Sequence, residues 1–327
     1  MRKTARFFVL FAWLLGSAIH VQAQTAATGS YPSKPVRVYV PAGAGSSLDI
    51  ITRIVSDRLA KNLGQPFVVE NKPGAGGIIN MNALRRMPAD GYTLTLIQGS
   101  VAAITPFLYK EATFDSEKDF EVIGTIATTP MLFAANANFP AKTLGEAIAM
   151  SKAKPDTIPL GNTAKGSLTH LANEILNAKS GAQFQIITFP TSSVVLQSTI
   201  GGDISILVDG VAPLIPLIKA GRLKALAVAS ETPVPGFESI PLAKDTVPGL
   251  NISGWFVMLA PKGTPDAITK RLNQEIAEIM RSPEVIARLQ ELGTYPKVGT
   301  PESALQLIRS EKVLYGGVIK SIGLQPQ

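Results

Sequence analysis

The residues best suited to chemistry lie in Pro41-Ala42-Gly43-Ala44-Gly45-Ser46-Ser47-Leu48-Asp49. They are small, leave their amides open to approach, and end in an S-x-x-D box that starts a helix near Ser47. Free backbone N–H groups beside a helix N-terminus favour a bound anion. The same device recurs about 120 residues on, at Asn162-Thr163-Ala164-Lys165-Gly166-Ser167 before Leu168. Two such loops predict one anionic ligand shared between two lobes. Gln98 and Ser100, at the end of a third strand, belong to the same candidate site, as do Phe189 and Thr191 at the end of a fourth.

Four ionisable residues keep two readings each. Asp49 is either a first-turn acid complementing its helix or a wall of the site. His170 either bonds a nearby carbonyl as structure or lines the cleft. Asp209, before Gly210, is either a turn former or a ligand contact. Lys165 either supplies a point charge or sits in solvent.

Little else in the chain could drive a reaction. There is no Cys, and His20 and His170 are the two histidines. G-x-S-x-G, H-E-x-x-H and G-x-x-x-x-G-K-[ST] are all missing. Gly43-Ala44-Gly45 begins a dinucleotide-like loop, but Leu48 stands where the third glycine belongs. The chain therefore reads as a binding protein without cofactor or metal, not an enzyme. A doubly wound enzyme acting on a small anion is the competing reading, and a signalling receptor the third.

The elements that position these loops alternate between strand and helix. Val36–Val40, Phe67–Glu70 and Tyr92–Ile97 read as strands, with helices after the first and second. The pattern repeats in Thr157–Leu160, Phe184–Ile187, Asp203–Val208 and Leu223–Ala229. This predicts an α/β protein whose lobes are mostly parallel, doubly wound sheets with flanking helices, binding ligand at the strands' carboxyl ends. Two apolar strands, Thr129–Asn136 and Gly254–Pro261, read as crossovers. They divide the chain into a first lobe at 31–129, a second at 130–252, and a return to the first at 253–327. Thr264-Pro265-Asp266, Ser282-Pro283-Glu284 and Thr300-Pro301-Glu302 start three helices expected to pack on the first lobe.

Arg2, Lys3 and Arg6, then an apolar run from Phe7 to Ile19 and Val21-Gln22-Ala23, read as a signal peptide at 1–23. Its removal lowers the formal charge from +7 to +4. The remaining Lys and Arg are scattered, which argues against nucleic acid.

With these motifs in hand, the chain resembles the substrate-binding receptors of tripartite tricarboxylate transporters, the TctC or Bug receptor family. Val68 to Gly77 (V-V-E-N-K-P-G-A-G-G) matches its most specific signature. Asp90–Leu94, Asp119-Phe120, Gly166–Leu171 and Ala260–Pro265 match further motifs. The resemblance implies a periplasmic, monomeric, two-lobed clamshell of the type II-like binding-protein fold. It also implies a carboxylate held largely by main-chain amides and a partnership with membrane transporter subunits. Two departures fall at the loops: Ala42 replaces an aromatic, and Phe189-Pro190-Thr191-Ser192 replaces Pro-Tyr-Lys-Gly. The first predicts room for a bulkier acid.

Overall fold

The structure is a computed structural model and describes residues 31–326. The expected signal peptide lies outside the described residues. The first half runs β1 (Val36–Val40), α1 (Ser47–Leu63), β2 (Phe67–Asn71), α2 (Ile78–Arg85), β3 (Thr93–Gln98), α3 (Gly99–Ala103), α4 (Thr105–Leu108) and β4 (Phe120–Asn136). The second continues with α5 (Leu144–Ala153), β5 (Pro159–Thr163), α6 (Leu168–Ser180), β6 (Gln185–Phe189), α7 (Ser192–Gly201), β7 (Ile206–Gly210), α8 (Val211–Lys219), β8 (Leu223–Ala229) and α9 (Ala243–Thr246). The chain closes with β9 (Ser253–Pro261), α10 (Asp266–Ile279), α11 (Pro283–Glu291), β10 (Tyr295–Pro296) and α12 (Pro301–Ser321).

These strands form one mixed sheet, ordered β2-β1-β3-β9-β4-β7-β5-β6, with β8 and β10 also paired to β4. Each half holds a parallel core, β2-β1-β3 and β6-β5-β7. The expectation of mostly parallel lobes holds for those triplets. The crossover strands run antiparallel to every neighbour, so the sheet as a whole is mixed.

β4 joins the halves. Its 17 residues exceed an ordinary strand. Phe120 to Pro130 pairs with β9, and Met131 to Asn136 pairs with β7 and β8. Glycine at Gly124 (φ 154°) sits where the β4–β9 register slips, a bulge that bends the strand.

Both faces of each half are covered. In the first half, Val38, Ile51, Leu96, Leu272 and Ile276 pack on one face, and Met81, Ile97, Phe120, Val257 and Ile308 on the other. In the second, Phe133, Leu160, Leu171 and Leu226 fill one face, and Leu132, Val195, Leu207 and Leu214 the other.

Three expectations need correction. β5 and β6 end later than the sequence suggested because polar Asn162 and Thr163 continue the parallel ladder opposite Thr188 and Phe189, and β7 does so because Asp209 and Gly210 pair with Leu132 and Met131 of β4. Thr264 does not cap α10; its hydroxyl donates to the Pro261 carbonyl at 2.7 Å, and the helix begins after Pro265. The C-terminal helices do not all pack on the first lobe. Ala304 and Ile308 of α12 join the first half's core, whereas Tyr315 and Ile319 join the second's. Its 21 residues span about 30 Å at 1.5 Å each, enough to bridge both.

Candidate functional site

Four strand-to-helix junctions open onto one cleft of about 300 Å³. Ser47, the first residue of α1, and Gly99 and Ser100 of α3 enter from the first half. Leu168, the first residue of α6, and Gly210 and Ala212 at the start of α8 enter from the second. All four junctions lie at strands' carboxyl ends, so four helix N-termini converge on the cavity. The strands between the halves supply Thr129, Met131 and Trp255.

The two anion-type loops are built alike. Ser46 and Ser167 cap their helices, accepting from the amides of Asp49 and His170 at 3.3 and 3.2 Å. Gly45 (φ 79°) donates its N–H to Asp49 Oδ2 at 2.9 Å, and Gly166 (φ 81°) donates to His170 Nδ1 at 3.1 Å. Asp49 and His170 are therefore equivalent residues, each bracing its own loop.

Both side chains are engaged in bracing their own loops. Asp49 is 2 % exposed and also receives Arg53 Nε and Nη2 at 3.1 and 3.0 Å and Asn71 Nδ2 at 2.8 Å. Burial alone would raise its pKa, but the Arg53, Gly45 and Asn71 hydrogen bonds hold it down to about 2. Burial, with Lys165 nearby, lowers that of His170, which accepts at Nδ1 as a neutral ring. Some amides expected to meet the anion are thus already paired: Gly45, Gly166, Ser46 to the Gly43 carbonyl, and Ser167 to the Ala164 carbonyl. The amides of Ser47 and Leu48, and of Leu168 and Thr169, meet no acceptor among the described residues.

Of the residues singled out from sequence, Ser47, Gln98 and Ser100 line the cleft. Gly43, Ala44 and Gly45 are exposed on the first loop, as is Lys165 on the second. Ala42 packs against the first half's core instead of the cleft, and its carbonyl accepts from Asn71 Nδ2 at 2.9 Å. Asn162 is fully buried, donating to the Thr163 carbonyl and Thr188 Oγ1. Thr163 bonds Thr169 through its amide and hydroxyl. Phe189 accepts from the Ala164 amide and packs on the second core, and Thr191 is exposed beside Ser193. Asp209 accepts from Ser192 Oγ and from the Gly210 amide; burial raises its pKa against both hydrogen bonds.

Sequence reasoning missed the cleft's inner wall: Trp255, Glu311 and Tyr315. Trp255 Nε1 donates to Glu311 Oε2 at 2.6 Å. Its indole lies so close to Gly99 that a Cβ there would overlap the ring. Burial pushes the Glu311 pKa up to about 7, against the Trp255 hydrogen bond and the charge of Lys297. A signal existed: Glu311 interrupts the apolar stripe Ala304, Ile308, Tyr315, Ile319 of its helix. Trp255 and Glu311 also line a second cavity of about 550 Å³, walled by residues 230–235, β10 and α12.

A family model described as the tripartite tricarboxylate transporter family receptor matches residues 51–324. A UPF0065 protein of Bordetella bronchiseptica is 33% identical over 98% of this chain and 94% of its own length. Protein BugT of Bordetella pertussis is 30% identical over 96% and 95%. Among solved structures, a TctC solute binding protein from Polaromonas superposes with TM-score 0.81 at 28% identity, over 89% of this chain and 99% of that one. An R. palustris protein with adipate gives 0.74 at 28% (91% and 100%), and MatC from Rhodopseudomonas palustris with bound malate gives 0.67 at 26% (88% and 100%).

Proposed function

The chain belongs to the tripartite tricarboxylate transporter receptor family, and from that premise we propose that it is a periplasmic receptor for a small organic carboxylate, which it delivers to membrane transporter subunits. The observation that carries the reading is the convergence of α1 and α6 on one cleft, each with first-turn amides that lack an acceptor. Hydrogen bonds to a charged acceptor contribute about 1.5–3 kcal/mol each, so two or three anchor one carboxylate without a cationic side chain. The relatives with adipate and malate support the ligand class.

In this reading the lobes divide at residues 130 and 252, where β4 changes partners and β9 begins. Ser47, Gln98 and Ser100 contact the ligand directly, while Gly45 and Gly166 shape the loops around it. The signal peptide at 1–23 directs export. A thermal-shift screen of short carboxylates tests the reading. A ligand present at a hundred times its dissociation constant stabilises the fold by about 2.7 kcal/mol. At least one acid is expected to raise the melting temperature saturably, whereas its neutral amide does not. Equal shifts with acid and amide would remove the anion site.

A further inference from the structure

Anchoring one carboxylate at the helix N-termini leaves the inner wall of the cleft without a role. Among the described residues, Glu311 is the one acidic or basic side chain lining the cleft. Its Oε2 accepts from Trp255, but Oε1 meets no donor among the described residues. Tyr315, 1 % exposed, lines the same wall, and its hydroxyl likewise has no partner among the described residues. Both atoms open onto the cleft, where water or a bound ligand can supply the partner they lack. We propose that Glu311 and Tyr315 form an inner subsite at which a dicarboxylate shares one proton with Glu311, so that binding takes up a proton from water.

The proposal rests on the carboxylate reading and gives the ligand its second end. Two ionised carboxyls side by side repel, and one proton held between them turns repulsion into a hydrogen bond. The Tyr315 hydroxyl donates to the remaining oxygen. The groups facing Glu311 leave this possible. Trp255 comes from β9, exposed Lys297 from beside β10, and Tyr315 from its own helix. Tyr295 and Glu231 line the second cavity, where Glu231 is engaged by Lys244 at 3.0 Å and Asn251 at 2.6 Å. With burial raising its pKa to about 7, Glu311 needs only a small further push to hold the proton beside a second carboxylate.

The sequence has two tryptophans, Trp13 and Trp255, so the emission of the full chain carries a signal from Glu311's partner. Without ligand, emission should titrate with a midpoint near pH 7, and Glu311→Gln should abolish that transition. Adipate or malate should move the midpoint upward. Diacid affinity in the wild type should fall roughly tenfold per pH unit above the free midpoint, as one proton is taken up, and Glu311→Gln should flatten that slope. Tyr315→Phe, which removes a single oxygen, should weaken diacid binding about tenfold and leave hexanoate binding unchanged. A diacid that binds but leaves the midpoint in place, or the same pH slope in wild type and Glu311→Gln, would overturn the proposal. Should hexanoate raise the melting temperature while neither diacid does, the carboxylate reading stands and the inner subsite is lost. If none of the three acids raises it, both fall.

Discussion

Two buried ionisable residues pull stability in opposite directions as pH changes. His170 is held neutral, its pKa lowered by burial and by Lys165. The unfolded chain therefore binds its proton more readily, and stability falls as pH drops below about 6.5. Glu311 has its pKa raised from 4.5 to about 7. Between those values the unfolded chain ionises first, so stability falls as pH rises, by about 3 kcal/mol at most once pH passes 7. Glu311→Gln should thus raise the denaturation midpoint at pH 8 and leave it nearly unchanged at about pH 3.5, a unit below the ordinary value, where both states carry the proton. Urea melts at the two pH values check this; equal effects at both would show that burial does not tune the side chain. Asp49, with its pKa held at about 2, contributes stability lost only as pH falls from about 4 toward that value.

Among the elements, α1 and α6 begin the site and α12 closes it. A glutamate at position 47 complements the α1 dipole, worth about 0.3–1 kcal/mol, yet puts negative charge where the ligand's carboxylate belongs. Ser47→Glu should therefore keep or slightly raise the melting temperature while abolishing carboxylate binding. Lys165→Ala should cost little binding, since Lys165 is exposed and no lysine among the described residues lines the cleft. Gly99→Val must displace the Trp255 indole, so its emission should shift and the Glu311 hydrogen bond should be lost. The helix start at Ser46 was legible because capping is local, a serine and the acid three positions on sufficing, and the start after Ser167 was legible as the repeat of that loop. What α12 packs against was not, because periodicity shows that Ile308 and Tyr315 are buried but not in which core. The bracing of Gly45 by Asp49 and of Gly166 by His170 also escaped the sequence, since residues four apart in a loop touch only at particular backbone angles.

At the scale of the molecule, the two-lobed α/β fold was legible because its crossover strands, Thr129–Asn136 and Gly254–Pro261, stand out as apolar runs. Their antiparallel pairing was not, since direction is set by the partner strands. Two strand passages and α12 join the halves, an arrangement suited to domain closure about the cleft. Small-angle scattering should give a smaller radius of gyration with saturating ligand; identical curves would argue for a rigid cleft. The central claim is that a carboxylate sits at the paired N-termini of α1 and α6. Isothermal titration of wild type and Ser47→Glu with the best acid from the thermal-shift screen tests it most directly. The account predicts saturable one-to-one binding to the wild type and none to Ser47→Glu, with both proteins equally folded. Undiminished binding to Ser47→Glu would contradict it.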